Sequence, residues 1–159
     1  MKRTGDRDPA RYFLEQAVEL RLEAARRERR VLELDSRCRR VTRRMGQGTA
    51  GGDRSRILEE IWTELADERN RERDAVKREL EGYQAVEDFI DRLEEPVHRA
   101  ILRLRYLDGL NWVQVQQRLY RQGLAYSDRH ITRLHKRALE EAAELLEEEK
   151  KMAEKVPVA

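Results

Sequence analysis

The sequence predicts an all-α protein, built as a long antiparallel helical hairpin followed by a small helix–turn–helix bundle. Three observations predict it. Charged residues make up 42% of the 159 positions and aromatic residues only 6%, so broad cores of large side chains are excluded. Pro and Gly are scarce, at 3 and 8, while Glu, Arg, Leu and Ala abound, which favours long helices with narrow apolar stripes over sandwiches, barrels or doubly wound sheets. The apolar residues recur at spacings of three and four over tens of positions.

The first helix is expected to start at Asp8-Pro9. Aspartate caps free amides, and proline fits a first turn where its missing N–H costs nothing. Phe13, Ala17, Leu20, Ala24, Arg27, Val31, Leu34, Cys38 and Val41 then follow a strict four–three alternation, a heptad seam broken only by Arg27. The helix should end near Met45, because residues 46–52 carry four glycines and read as a flexible connector. This stretch lacks the GxxxxGK[ST] order and a preceding strand, so it is not read as a phosphate loop. Asp53 or Ser55 is expected to cap a second helix running to Glu94, with Leu58, Ile61, Trp62, Leu65, Val76, Leu80, Tyr83, Val86, Ile90 and Leu93 on its apolar side and the charged run from Ala66 to Ala75 solvated. A hairpin this polar is expected to self-associate or to bind a partner along its stripe.

Pro96 should open a third helix with Val97, Ala100, Ile101, Leu104 and Leu107 on one face, ended by Asp108-Gly109. Asn111 is an expected N-cap for a short helix with Trp112, Val115 and Leu119 facing inward. Ser127 caps the last helix, which buries Ile131, Leu134, Ala138 and Leu139. Three domains follow: a hairpin over 8–95, a helix–turn–helix domain over 96–148 and a flexible tail over 149–159. The acidic segment from Glu140 to Glu149 is expected to continue the last helix and solvate its end.

Charge distribution points to function. Residues 1–52 carry +6, 53–95 carry −7, 96–139 carry +7 and 140–159 carry −4. The short basic block is the electrostatic footprint of a nucleic-acid binder. Setting aside its buried positions, the start of the last helix leaves Asp128, Arg129, His130, Thr132, Arg133, Lys136 and Arg137 for solvent. In a helix–turn–helix the start of the second helix enters the major groove, where arginine pairs with guanine and Lys or Arg also hold phosphates. The Ser127 cap leaves amides that favour an anion. The expected DNA-binding set is therefore Ser127, Arg129, His130, Thr132, Arg133, Lys136 and Arg137.

The stretch from Arg105 to Trp112, then Val115, then Tyr126-Ser127-Asp128-Arg129-His130-Ile131 and Arg133-Leu134-His135-Lys136-Arg137-Ala138-Leu139, resembles the C-terminal module of phage RinA/ArpU-like late transcription regulators, itself similar to region 4 of sigma factors. In layout the resemblance covers residues 12–142, and it has motif-level detail over 96–139. It implies sequence-specific binding to double-stranded DNA, control of late phage genes and contact with RNA polymerase. Carried over position by position, Ser127, Arg129, His130, Arg133 and Lys136 lie where such proteins meet DNA. Two departures stand out. Gln116 follows Val115 where the family usually has a small residue, and the connector from Tyr120 to Tyr126 is long.

Other chemistry finds little support in the sequence. His98, His130 and His135 have no metal-ligand spacing, and Cys38 lies on the apolar seam as a core thiol. Glu94-Glu95 and Glu140-Glu141 are adjacent and point apart. Trp62 and Trp112 are read as packing residues. No enzyme activity and no cofactor are expected. With no apolar span and no apolar h-region near the N-terminus, the expected place is the cytoplasm of a bacterial host, away from membranes. The expected assembly is a homo-oligomer, with a dimer favoured. Two alternatives to the regulator are a small terminase-like packaging subunit and a coiled-coil adaptor that binds protein.

Overall fold

The structure, a computed structural model, describes residues 8–46 and 52–156. It is all-α among those residues: α1 (Pro9–Met45), α2 (Gly52–Asp91), α3 (Pro96–Leu102, prolonged by a π-type turn Arg103–Leu107), α4 (Trp112–Arg121) and α5 (Asp128–Lys155). None of these helices is long and apolar enough to cross a membrane. Two compact units are present. Glu19–Glu81 form one, and residues up to Val18 with those from Gly82 onward form the other. The units therefore divide elsewhere than at 95 and 148, because the start of α1 and the end of α2 belong with the C-terminal helices.

α1 begins as its first residues dictate, with the Asp8 carboxylate accepting the Ala10 N–H at 3.1 Å. α2 begins already at Gly52, so Asp53 and Ser55 lie within its first turn and neither is the cap. There the charge of Asp53 suits the positive end of the helix. The glycine-rich connector falls almost wholly on 47–51, outside the described residues. α2 ends at Asp91, three residues before Glu94.

In the Glu19–Glu81 unit, α1 and α2 run antiparallel around Leu34, Cys38, Ile61 and Leu65, flanked by Val31 and Val41. Burial raises the Cys38 thiol above its ordinary pKa and Asp35 adds to this, which keeps it an inert core group. The two helices are also joined by Arg30–Glu64 (2.7 Å), Arg27–Glu68 (2.9 Å), Glu23–Arg78 (3.1 Å) and Asp35–Arg69 (3.5 Å). Trp62, Val76 and Leu80 do not join this core. Trp62 is 53% exposed and Leu80 67%. One partner helix covers only a narrow stripe, so the buried line passes through Glu68 and Ala75, inside the run expected to be solvated.

Arg27, the break in the seam, has a partner made for it. Glu68 is only 5% exposed. The hydrogen bond from Arg27 holds its carboxyl below the ordinary range against the opposing effect of burial, and Arg71 assists at 3.2 Å. Arg27→Ala is expected to destabilise the protein by about 1–2 kcal/mol, since it strips a buried carboxylate of its main donor while Arg71 remains. Urea unfolding of Arg27→Leu, Glu68→Leu and their double variant checks this. The double variant should recover most of the loss, because two apolar groups leave no buried charge unpaired.

The second unit has two cores. Ala10, Leu14 and Ala17 of α1 pack with Val86, Phe89, Ile90 and Leu93, with Leu102, Tyr106 and Leu107, and with Ala138, Leu139 and Ala142 of α5. Ile101, Leu104, Val115, Leu119 and Ile131 form the other, the core of a small bundle of α3, α4 and α5. α3 and the π-type turn that prolongs it serve both cores. The Asp108 N–H donates to the Arg103 carbonyl at 2.9 Å, five residues back. Leu102, Tyr106 and Leu107 face the first core, while Ile101 and Leu104 face the second. The single apolar face expected for this helix is therefore two faces.

The acidic half of α5 is docked, contrary to the solvated end expected. Ala142 is fully buried, and Ala143, Leu145 and Leu146 lie against the first core. The Glu141 carboxylate accepts the amide of Glu94 (2.7 Å), that of Glu95 (3.4 Å) and Nδ1 of His98 (2.5 Å), and so caps the free amides at the α2–α3 junction. Burial opposes ionisation of Glu141, but these bonds hold its pKa below the ordinary value. Arg92 pairs with Glu149. Residues 149–155, expected as a tail, form the last turns of α5.

Candidate nucleic-acid interface

α4, its connector and α5 are each fixed by local chemistry. Asn111 caps α4 through a full capping box, its side chain accepting the Gln114 amide (2.9 Å) while the Gln114 side chain accepts the Asn111 amide (3.0 Å). α4 stops at Gly123, whose φ of +85° only glycine adopts without strain. The Leu124 N–H then reaches back to the Leu119 carbonyl at 2.9 Å, the Schellman arrangement. Ser127, in extended conformation, caps α5 by accepting the His130 amide at 3.3 Å.

Gln116, one of the departures from the resembled family, has a positive role. Its Nε2 donates to the Tyr126 carbonyl at 3.0 Å and ties the long connector to α4. Tyr126 in turn stacks on His130, with ring centroids 4.8 Å apart and planes at 26°. Beside this tie, Gln116, Gln117, Tyr120, Arg121, Ala125 and Tyr126 line an open hollow of about 430 Å³.

The structure places all seven expected residues, Ser127, Arg129, His130, Thr132, Arg133, Lys136 and Arg137, on the exposed side of the first three turns of α5. Arg129, Arg133 and Lys136 lie opposite the buried line Ile131, Ala138, Ala142. The roles within the set differ. The Thr132 hydroxyl donates to the Asp128 carbonyl of its own helix at 2.9 Å. Ser127 is occupied as a cap and His130 as a stacking partner. Arg129, Arg133, Lys136 and Arg137 engage no group among the described residues.

The basic residues of 96–139 divide sharply. Arg99 donates to the carbonyls of Leu93 and Glu94, Arg103 pairs with Glu87 and Asp91, and Arg105 donates to the Leu110 carbonyl and lies 4.8 Å from the Trp112 ring centre. Those three hold the fold. Arg118, Arg121, Arg129, Arg133, Lys136 and Arg137 make no ion pair with any described residue. Along α5 the exposed line of Arg129, Arg133, Lys136 and Arg137 continues as Glu140, Glu144, Glu147 and Glu148, so one helix face changes sign at its middle.

Trp112 does not face inward as expected. It is 37% exposed and lies edge-on to the His135 ring at 4.6 Å, capped by Arg105. His135 was no part of the expected set, yet it is the most perturbed group of the module. Burial, then the charges of Arg11 and Arg105, lower its pKa to about 4, so the ring is neutral at physiological pH. It shares a 3.0 Å hydrogen bond with the Tyr106 hydroxyl, whose own pKa burial raises. Only its position beside the last core turn of α5 hinted at this in the sequence. Among the described residues no three His, Cys, Asp or Glu side chains gather as a metal would need. The chain matches no family model, no curated protein and no solved structure.

Proposed function

We propose that this protein binds double-stranded DNA through α5 and acts as a transcription regulator of the phage or prophage type, with α1 and α2 serving its assembly. One observation carries the reading: six cations gather on the last turn of α4 and the first three turns of α5, and among the described residues none of them has a carboxylate partner. A free cation costs nothing to present to a phosphate, while a paired one must first lose its partner. The capped helix start and the tied connector hold the backbone from which the α5 side chains project, as a recognition helix requires. The RinA/ArpU-like resemblance of the same stretch points the same way and adds a late-gene role and polymerase contact. A homo-oligomer fits the regulator, since paired modules reach paired half-sites.

Fluorescence anisotropy with duplex DNA at several salt concentrations tests the reading. Binding should weaken linearly in logarithmic terms as salt rises. Arg129→Ala and Arg133→Ala should each weaken it about 10-fold at moderate salt, roughly the effect of one good arginine contact. Arg78→Ala, which removes a paired arginine from the other unit, should leave it unchanged. Equal affinity for DNA in all four proteins would remove α5 from the account.

A further inference from the structure

We propose that the two readers of DNA sequence are Arg129 and Arg133, and that they select two guanines with one base pair between them. The inference rests on the DNA-binding reading above and specifies what that surface recognises. Four observations lead to it.

The first is the change of sign along α5. Beyond Arg137 the exposed line becomes Glu140, Glu144, Glu147 and Glu148, which repel a phosphate backbone. Contact therefore ends within the first three turns, and only the earliest positions reach base edges. The second is a process of elimination among those turns. Ser127 Oγ is held as a cap, the Thr132 hydroxyl spends its proton on the Asp128 carbonyl, and the His130 ring is stacked on Tyr126. Asp128 offers no donor. The Ser127 hydroxyl and the His130 ring keep donors but are held against the helix start and the connector, so the long forks of Arg129 and Arg133 are the donors free to extend, and neither meets a carboxylate among the described residues.

The third is geometric. The two arginines are four residues apart, so their Cα atoms lie on one face about 6 Å apart along the axis. Successive bases rise about 3.4 Å, so this separation spans roughly two base steps. The fourth is chemical. A planar fork of parallel N–H donors matches the O6 and N7 acceptors that only guanine presents together in the major groove. Lys136 and Arg137, a turn further on, remain for phosphates.

Selection of bound duplexes from a random library by the full-length chain, followed by measurements on the selected site, tests this. The expected site contains two guanines flanking one base pair. Replacing either guanine by 7-deazaguanine, which lacks only the N7 acceptor, should weaken binding about 10-fold. Arg133→Ala should abolish the preference at one of the two positions and leave the other. Arg133→Gln should shift that same position towards adenine, whose N6 and N7 suit an amide. Both substitutions fall on exposed residues, and circular dichroism verifies that the helices persist.

A selected site without the guanine pair, or one read unchanged by Arg129→Ala and Arg133→Ala, would overturn the inference while leaving DNA binding in place. Salt-dependent binding with no sequence enrichment would also overturn it and retain only the phosphate contacts. Absence of DNA binding at any salt would overturn both this inference and the reading on which it rests.

Discussion

Phe89→Ala is expected to cost about 3–5 kcal/mol, a large part of the stability of a small domain. Phe89 is 1% exposed and is the largest fully buried side chain among the described residues. Its ring meets the edge of Phe13 with centroids 5.1 Å apart and planes at 67°, the arrangement in which aromatic quadrupoles attract. The Arg92 guanidinium lies 5.8 Å from the same ring centre. Around it stand Leu14, Ile90, Ala138 and Ala142, contributed by α1, α2 and α5, all fully buried. Close-packed helices on several sides leave little room to collapse into the void that alanine creates. Urea unfolding followed by far-UV circular dichroism measures the loss. Phe89→Leu should cost much less, since it keeps most of the volume. Trp62→Ala, at an exposed position of α2, should change stability by less than about 1 kcal/mol although it deletes a larger ring. Equal losses for Phe89→Ala and Trp62→Ala would contradict the packing described.

The contrast between those two residues shows why the sequence was legible in one respect and not in another. A heptad seam assumes one partner helix, and between Glu19 and Glu81 that assumption holds. Ala24, Leu34, Cys38, Ile61 and Leu65 are buried where the spacing placed them. It also makes Trp62 look like a core residue, although the facing helix covers too narrow a stripe to shelter it. Past Gly82 α2 meets both α1 and α5, its buried face widens, and Phe89 joins Val86 and Ile90. Sequence spacing carries no information on how many helices will pack against a stripe. Local signals did better. Asp8, Asn111, Ser127 and Gly123 act through their nearest neighbours, and each does what its residue type dictates. Long-range polar partnerships were out of reach: Arg27 meets Glu68 across 41 positions, and Glu141 reaches the amides of Glu94 and Glu95 across 47 and 46. The exposed residues of α5 could be named because they lie opposite an evident apolar line. The commitment of Ser127 as a cap was legible, whereas those of Thr132 and His130 were not, because they depend on atomic geometry.

His135 should make the protein lose stability on mild acidification. Its pKa is about 4 when folded, whereas an exposed histidine titrates near 6.5. Above pH 6.5 the ring is neutral in both states and contributes no pH dependence. Between 6.5 and 4 the unfolded chain takes up a proton that the folded protein refuses, so unfolding is favoured progressively as pH falls. Below about 4 both states are protonated and the loss is complete. The expected total is about 2 kcal/mol, reduced from the full linkage value because the ring is only partly buried and water screens its neighbours. The carboxylates of Glu68 and Glu141, held below their ordinary pKa, lose stability in the same direction at lower pH and must be separated from this effect. His135→Gln achieves that, since glutamine keeps a hydrogen-bonding group for the Tyr106 hydroxyl and does not titrate. The stability difference between the native protein and His135→Gln should stay constant above pH 7 and shift by about 2 kcal/mol in favour of the variant on going to pH 4. A difference independent of pH would mean that the ring takes up its proton in the folded protein, and that the surroundings of Trp112, Arg105 and Arg11 admit a positive charge after all.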